Sequence, residues 1–216
     1  MKTSTIKHLS DLLKRIPELE TMSESISQAT ETLCECHLSG GKVMICGNGG
    51  SAADSEHIVG ELMKSFVLPR PLPADDIERL RQSGAADWES IAGNLQQGIP
   101  AISLNGAISL STAIINDTDP FMTFAQQVYV YGRPGDVLIA LSTSGGAKNV
   151  LNAVKTAKAF GVSVIGFTGS RPAPIDEFCD VVLKAPSAET FRVQEYHLPI
   201  YHTLCLMVEN EIFGRE

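Results

Sequence analysis

Long hydrophobic runs are absent from this sequence of 216 residues. No apolar stretch approaches the roughly 18 residues that a helix needs to span a bilayer. The first 14 residues are polar and lack the apolar core of a signal peptide. We therefore expect a cytoplasmic protein that has no membrane partner.

Positive charge is also scarce, because 17 Lys and Arg residues face 25 Asp and Glu residues and leave a net charge of −8. Such a balance argues against a general surface for nucleic acid or for an anionic membrane. A site for an anion would therefore have to be local and built from backbone N–H and hydroxyl groups more than from lysines.

Cysteines are few and odd in number, five in all, and Cys46 and Cys205 lie within apolar runs. This usage predicts reduced thiols rather than a disulfide framework. Cys34 and Cys36 are too few and too close together to form a zinc ligand set of their own.

Short apolar runs alternate with helical patterns, and no internal repeat of 20–50 residues interrupts them. Nearly continuous apolar strands separated by helices are typical of a sheet that is buried on both faces. We therefore predict an α/β fold with a doubly wound, five-stranded parallel sheet flanked by helices. The predicted strands are residues 43–46, 101–104, 137–141, 162–167 and 181–183.

The chain is predicted to form a single domain, residues 1–216, with two helical additions. Residues 1–40 form an N-terminal arm, in which a helix over 5–38 breaks near Pro17 and ends at Gly40 and Gly41. Residues 68–99 form an insertion with one helix from Asp75 to Gly84 and another over 88–97. This insertion either packs at a subunit contact or covers the site as a lid.

Two Gly/Ser loops each follow a predicted strand and open a predicted helix. The first, residues 47–51, loosely fits a dinucleotide fingerprint, but that motif needs a second strand ending in an acidic residue about 20 residues later. Residues 65–69 carry a proline and no such acid. The loop is therefore read as a phosphate-binding turn, in which N–H groups and a helix N-terminus face an anion, or as a simple tight turn.

The second loop places three hydroxyls, those of Ser142, Thr143 and Ser144, at the end of a buried strand. Helix N-capping would explain one of them, whereas phosphate oxygens would bond all three. Lys148 follows one turn later and could add positive charge. We therefore predict phosphate binding here.

Ionisable side chains follow the first loop and recur near the C-terminus. His57 and Glu61 share one helix face, either as a solvated pair or as functional groups. Pro199 suits a first helical turn, which predicts a helix starting near Tyr196. On one ideal helix, Gln194 and His202 would be about 12 Å apart, so their convergence on one ligand requires a bend or two subunits.

Together, the GNGGS segment at residues 47–51, the H-x-x-x-E spacing, the STSG segment at 142–145 and the R-x-Q-E-x-H segment at 192–197 resemble the sugar isomerase (SIS) fold and, within it, the phosphoheptose isomerase family. The resemblance covers most of the chain. It implies a homotetramer with active sites between subunits. It also implies conversion of sedoheptulose 7-phosphate, a small-molecule sugar phosphate, to D-glycero-D-manno-heptose 7-phosphate through an enediol.

The resemblance also implies roles for individual residues. Glu61 would be the base that moves a proton between C1 and C2, and His202 its acid partner. The positions that would bind substrate are Asn48, Gly49, Gly50, Ser51, Asn116, Asp117, Ser142, Thr143, Ser144 and Gln194. Some members bind zinc through the positions of His57, Glu61, Gln194 and His202, so Zn²⁺ is the expected cofactor.

Three features depart from the family pattern. Ala147 stands where the family usually has another phosphate-binding Ser, and Phe191 stands where an Asp contacts the sugar. The segment at 68–99 is longer than the usual link. These differences leave the particular sugar phosphate open.

Two non-catalytic readings compete with the isomerase. One is a replication scaffold that binds the bacterial initiator, but that relative lacks the catalytic Glu and the second His, both of which are present here. The other is a sugar-phosphate sensor without turnover, for which Phe191 is the best support.

Overall fold

The computed structural model describes residues 1–215 and contains a five-stranded sheet in the order β2-β1-β3-β4-β5. All neighbouring strands are parallel. This confirms the predicted sheet, and the strand limits differ from the predicted ones by one residue at most. The strands are β1 (Val43–Gly47), β2 (Ala101–Ser103), β3 (Val137–Leu141), β4 (Ser163–Thr168) and β5 (Val181–Lys184).

Helices cover both faces of the sheet, as the doubly wound prediction requires. They are α1 (Thr3–Arg15), α2 (Ser23–Leu38), α3 (Gly50–Met63), α4 (Ala74–Gln82), α5 (Trp88–Asn94), α6 (Ile108–Asp117), α7 (Thr123–Tyr131), α8 (Lys148–Ala159) and α9 (Thr190–Phe213). Side chains of α1, α2, α3 and α9 form one buried apolar layer against the sheet, and those of α7 and α8 form the other. Every residue of β1 and β3 is buried, which explains why their sequences read as unbroken apolar runs.

The N-terminal arm folds against the last helix. A 3₁₀ turn over Pro17–Met22 separates α1 from α2, close to the break predicted at Pro17. Lys2 Nζ donates to the backbone oxygens of Glu211 and Gly214 at 2.7 and 2.8 Å. Because these carbonyls lie at the C-terminal end of α9, the lysine satisfies acceptors that the helix itself leaves open.

The insertion contains two short helices, α4 and α5, and neither helix buries a side chain. Its two ends are held together at the base, where Pro71 and Gln96 form an antiparallel bridge and Gln97 N–H donates to Arg70 O at 2.8 Å. The second helix ends at Asn94, three residues before the predicted limit.

The prediction that the last helix begins near Tyr196 is wrong. Helix α9 begins at Thr190 and runs without interruption through Pro199. An internal proline costs about 3 kcal/mol or more, but Val193, His197 and Ile200 are buried on both sides of it. Packing of this face therefore outweighs the lost backbone bond.

None of the helices in residues 1–215 is both long and apolar enough to cross a bilayer.

Candidate active site

The first Gly/Ser loop connects β1 to α3 at the carboxyl edge of the sheet. Gly49 has φ of +57°, a conformation that favours glycine, directly before the helix. Asn105 holds the end of β1 from the side, since its amide donates to Gly47 O at 2.7 Å and its Oδ1 accepts from Gly47 N at 3.3 Å. Asn105 could not be recognised from the sequence because its partner is 58 residues away.

The second loop connects β3 to α8 beside the first one. Gly145 has φ of +60°, and a Cβ at this position would collide with the Ala173 side chain. Helix α8 follows Ala147 without a side-chain cap, so the hydroxyls of Ser142, Thr143 and Ser144 are not used as caps. Ser144 Oγ instead accepts from Gly146 N at 3.2 Å within the loop.

The two loops form the walls of a cleft of about 330 Å³. Asn48 joins the first loop to the start of α8, because its side-chain amide pairs reciprocally with that of Asn149 at 2.9 Å. Gln194 reaches the cleft from α9 and lies so close to Gly50 that a Cβ there would be 2.8 Å from Nε2 of Gln194. Eight predicted substrate-binding residues line this cleft, namely Asn48, Gly49, Gly50, Ser51, Ser142, Thr143, Ser144 and Gln194.

A second group of predicted residues meets further along α3. His57 Nε2 lies 3.2 Å from Glu61 Oε1 and 3.3 Å from His202 Nε2. Helix α3 supplies the first two residues at i and i+4, and α9 supplies the third. We refer to His57, Glu61 and His202, which include the two predicted catalytic residues, as the catalytic cluster.

Tyr201 and Asp54 support this cluster from behind. The Tyr201 hydroxyl donates to Asp54 Oδ1 at 3.2 Å and lies 3.0 Å from His57 Nδ1. A tyrosine has one hydroxyl proton and a carboxylate can only accept, so His57 Nδ1–H donates to the tyrosine oxygen. In the neutral ring, Nε2 then presents a lone pair to the Glu61 carboxylate. Two acceptors this close require a shared proton or a cation.

Burial, with further contributions from the neighbouring His57 and Arg15, lowers the pKa of His202, and only Glu61 opposes the shift. A lower pKa favours the neutral imidazole near pH 7, and it makes the protonated ring a stronger acid. Both forms suit a residue that exchanges protons with substrate oxygens.

The donor set fits a zinc ion. Neighbouring nitrogen and oxygen ligands around tetrahedral zinc are about 3.3 Å apart for bonds of about 2.0–2.1 Å, which matches both contacts of His57. Glu61 Oε2 is buried and has no hydrogen-bond partner in the described chain. Within residues 1–215, however, no three His, Cys, Asp or Glu groups are already gathered into a ligand set, so the side chains would have to move to form one.

The cleft and the catalytic cluster are separate within one chain. Gly50 and Glu61 are 11 positions apart on α3, which corresponds to about 16 Å along the axis. Helices α3 and α9 run side by side in the same direction, so that Gln194 lies at Gly50 and His202 lies at His57. Gln194 therefore does not join the other three predicted zinc ligands of its own chain.

Asn116 and Asp117 lie at the end of α6, and their exposed side chains contact each other at 2.7 Å. They do not line the cleft between the two loops. A contact between these residues and a substrate in the cleft would therefore require an assembly of more than one chain.

A buried ion pair fixes the segment that leaves α3. Arg70 and Glu209 are both fully buried and 2.7 Å apart. Arg70 also donates to Leu62 O at 2.9 Å, and Glu209 accepts from Phe66 N at 2.8 Å. Because the Phe66 ring lies 5.6 Å from the His202 ring, this pair supports the cluster, and spacing in the sequence gave no sign of it.

The fold and the two loops agree with the comparison to known families. The sequence model of the SIS domain family matches residues 6–77 and 82–169. The chain belongs to the SIS domain family.

Similarity to individual proteins shows which kind of SIS domain protein the chain resembles. The chain is 38% identical over 197 residues to a phosphoheptose isomerase of Burkholderia pseudomallei (strain 1710b), which covers 91% of this chain and 87% of that protein. It is 35% identical to the phosphoheptose isomerase of Aliarcobacter butzleri (strain RM4018), covering 98% and 99%. The solved structure of the Neisseria gonorrhoeae phosphoheptose isomerase matches with a TM-score of 0.73 and 31% identity over 95% and 96% of the chains. The chain is an isomerase of the SIS domain family.

Proposed function

We propose that the protein interconverts a ketose phosphate and an aldose phosphate, with sedoheptulose 7-phosphate and D-glycero-D-manno-heptose 7-phosphate as the pair. The observation that carries this proposal is the cleft between the two Gly/Ser loops, which offers N–H groups and hydroxyls to one anion. The phosphoheptose isomerases among its relatives support the choice of sugar.

The chemistry needs one group that removes a carbon-bound proton and another that serves the oxygens. In the forward direction, the Glu61 carboxylate takes a proton from C1 and the C1–H electrons form the C1=C2 bond. The protonated form of His202 gives its proton to O2 as the C2=O π electrons move to that oxygen. Glu61 then returns its proton to C2. His202 takes the proton from O1 as the new carbonyl forms at C1, so both residues end in their starting state.

The two oxygens of Glu61 have different surroundings that suit this role. Oε1 faces His57, whereas Oε2 is buried without a hydrogen-bond partner in residues 1–215 and lies 3.6 Å from Lys64 Nζ. Oε2 is the oxygen that we assign to proton transfer. A zinc ion held by His57, Glu61 and His202 would polarise the substrate oxygens as a Lewis acid, and it would then replace proton donation by His202, whose Nε2 would be a ligand.

The distance along α3 implies that a complete site uses two chains. About 16 Å separates Gly50 from Glu61 along the helix axis, which is too far for one sugar phosphate to reach both. We therefore propose that the cleft of one copy meets the catalytic cluster of another within a homotetramer. Such an assembly would also bring Gln194 of one copy towards the catalytic cluster of another, and Asn116 and Asp117 towards the substrate.

Turnover of sedoheptulose 7-phosphate tests the proposal directly. We expect Glu61→Gln to lower the rate at least about 100-fold, as general-base removal does. The mass under native conditions should stay near that of four chains. Glu56→Gln, on the exposed face of the same helix, is the matched control. An active Glu61→Gln protein would contradict the base assignment. Failure of the wild-type protein to convert any ketose phosphate would favour a sensor or scaffold.

A further inference from the structure

A second chamber adjoins the cleft on the other side of its hydroxyl wall. It has a volume of about 200 Å³ and shares Thr143, Ser144 and Thr190 with the cleft. Since a water molecule occupies about 30 Å³ in the liquid, the chamber has room for a phosphate group. Arg171 lines this second chamber, and it is the one cationic residue among the described residues that line either chamber.

The other cations near the loops are directed elsewhere. Lys148, which the sequence suggested as a source of charge, places Nζ 4.3 Å from the centre of the Phe121 ring and lines neither chamber. The guanidinium of Arg192 pairs with Glu189 at 2.8 Å. Lys184 Nζ lies 3.5 Å from the backbone oxygen of Arg171 and pairs with Asp176. The Arg171 guanidinium itself has no acidic partner within 4.0 Å among residues 1–215.

The segment that carries Arg171 is fixed against the hydroxyl loop. Gly169 N–H donates to Thr143 O at 3.0 Å, and a Cβ at Gly169 would lie only 2.8 Å from Ser187 O. On the other side of Arg171, the Ala173 side chain packs directly against Gly145. The backbone on both sides of Arg171 therefore keeps a set position relative to the three hydroxyls.

We propose that Arg171 is the phosphate-binding cation of this protein and that it selects dianionic sugar phosphates. This inference rests on the proposed function and names a determinant of the same site. A guanidinium can donate two parallel hydrogen bonds to phosphate oxygens. Such a charge is needed here because the chain has a net charge of −8 and Ala147 offers no hydroxyl.

Kinetics on three variants test the assignment, with inorganic phosphate as competitive inhibitor. We expect Arg171→Gln to raise the KM for sedoheptulose 7-phosphate and the Ki for phosphate about tenfold or more, as loss of a charged hydrogen-bond donor does. The kcat should stay within about twofold, because the lost contact is the same in ground and transition states. Arg171→Lys should recover part of the affinity, and Lys148→Gln should match the wild type.

Each other outcome is decisive. Equal KM and Ki values for Arg171→Gln and wild type overturn the proposal, and so does a loss that appears in Lys148→Gln instead. Calorimetric titration with inorganic phosphate separates this inference from the proposed reaction. Arg171-dependent phosphate binding without any turnover would support the binding site and reject the isomerase, whereas a wild-type protein that binds no phosphate would overturn the binding site.

Discussion

The Tyr201 hydroxyl lies 3.0 Å from His57 Nδ1 and 3.2 Å from Asp54 Oδ1. Tyr201 is 1% exposed, whereas the His57 side chain is 42% exposed. A buried hydroxyl thus sets the tautomer of an accessible ring, and the Nε2 lone pair of His57 faces Glu61 and His202. Such supporting contacts typically change metal affinity or activity 10- to 100-fold when removed.

Tyr201→Phe should therefore lower kcat about tenfold while the fold is kept. The ring still fills the same buried volume, but His57 Nδ1 loses its acceptor and the imidazole can turn or change tautomer. Turnover of the ketose phosphate and the circular dichroism spectrum would check this. Tyr131→Phe, at the exposed end of α7, is the control; equal rates for both variants would argue against the tautomer role.

Zinc should stabilise the wild-type protein. An ion that binds only the folded state raises the unfolding temperature, because it stabilises that state by RT ln(1 + [L]/Kd). We expect Zn²⁺ to raise the melting temperature of the wild type after chelator treatment, and to have little effect on His57→Gln or His202→Gln. His8→Gln, on α1, should respond as the wild type does. A full response in both cluster variants would place the ion elsewhere.

Arg70→Met should be strongly destabilising. It leaves the Glu209 carboxylate buried without its counter-ion, a change that typically costs about 3–5 kcal/mol. The free energy of unfolding from urea titration measures the loss. Arg81→Met breaks an exposed pair with Glu78 and should leave stability nearly unchanged; a similar loss in both variants would show that the burial of the pair does not matter.

The buried side chain of His197 should make the folded protein less stable in mild acid. Burial lowers its pKa from 6.5 to about 4, so between these values the unfolded chain binds a proton that the folded chain does not. Stability therefore rises with pH through this window and falls as the pH drops, by on the order of 3 kcal/mol at the acid end.

Urea titrations of wild type and His197→Gln between pH 4 and 8 would isolate this contribution. Glutamine can still donate to Thr168 O, the partner of His197 Nε2 at 3.3 Å, but it does not titrate. The wild type should lose more stability than the variant on acidification. Parallel profiles would mean that His197 is protonated equally in both states.

The strands and both loops could be predicted because each depends on local patterns, namely apolar runs and Gly/Ser turns. The start of α9 could not, since a rule about Pro199 in a first turn competes with packing over several turns. Tyr201–Asp54 and Arg70–Glu209 join residues more than 130 positions apart, and spacing carries no sign of such pairs. The direction of the Lys148 side chain likewise depends on Phe121, a neighbour in space only.

The α4–α5 hairpin departs from the rest of the molecule and returns to it at one place, the bridge between Pro71 and Gln96. No side chain of either helix is buried, so its removal would leave the hydrophobic layers untouched. Insertions and deletions are tolerated where the backbone ends meet and little is buried. This hairpin can therefore be lengthened or trimmed without changes to the two hydrophobic layers.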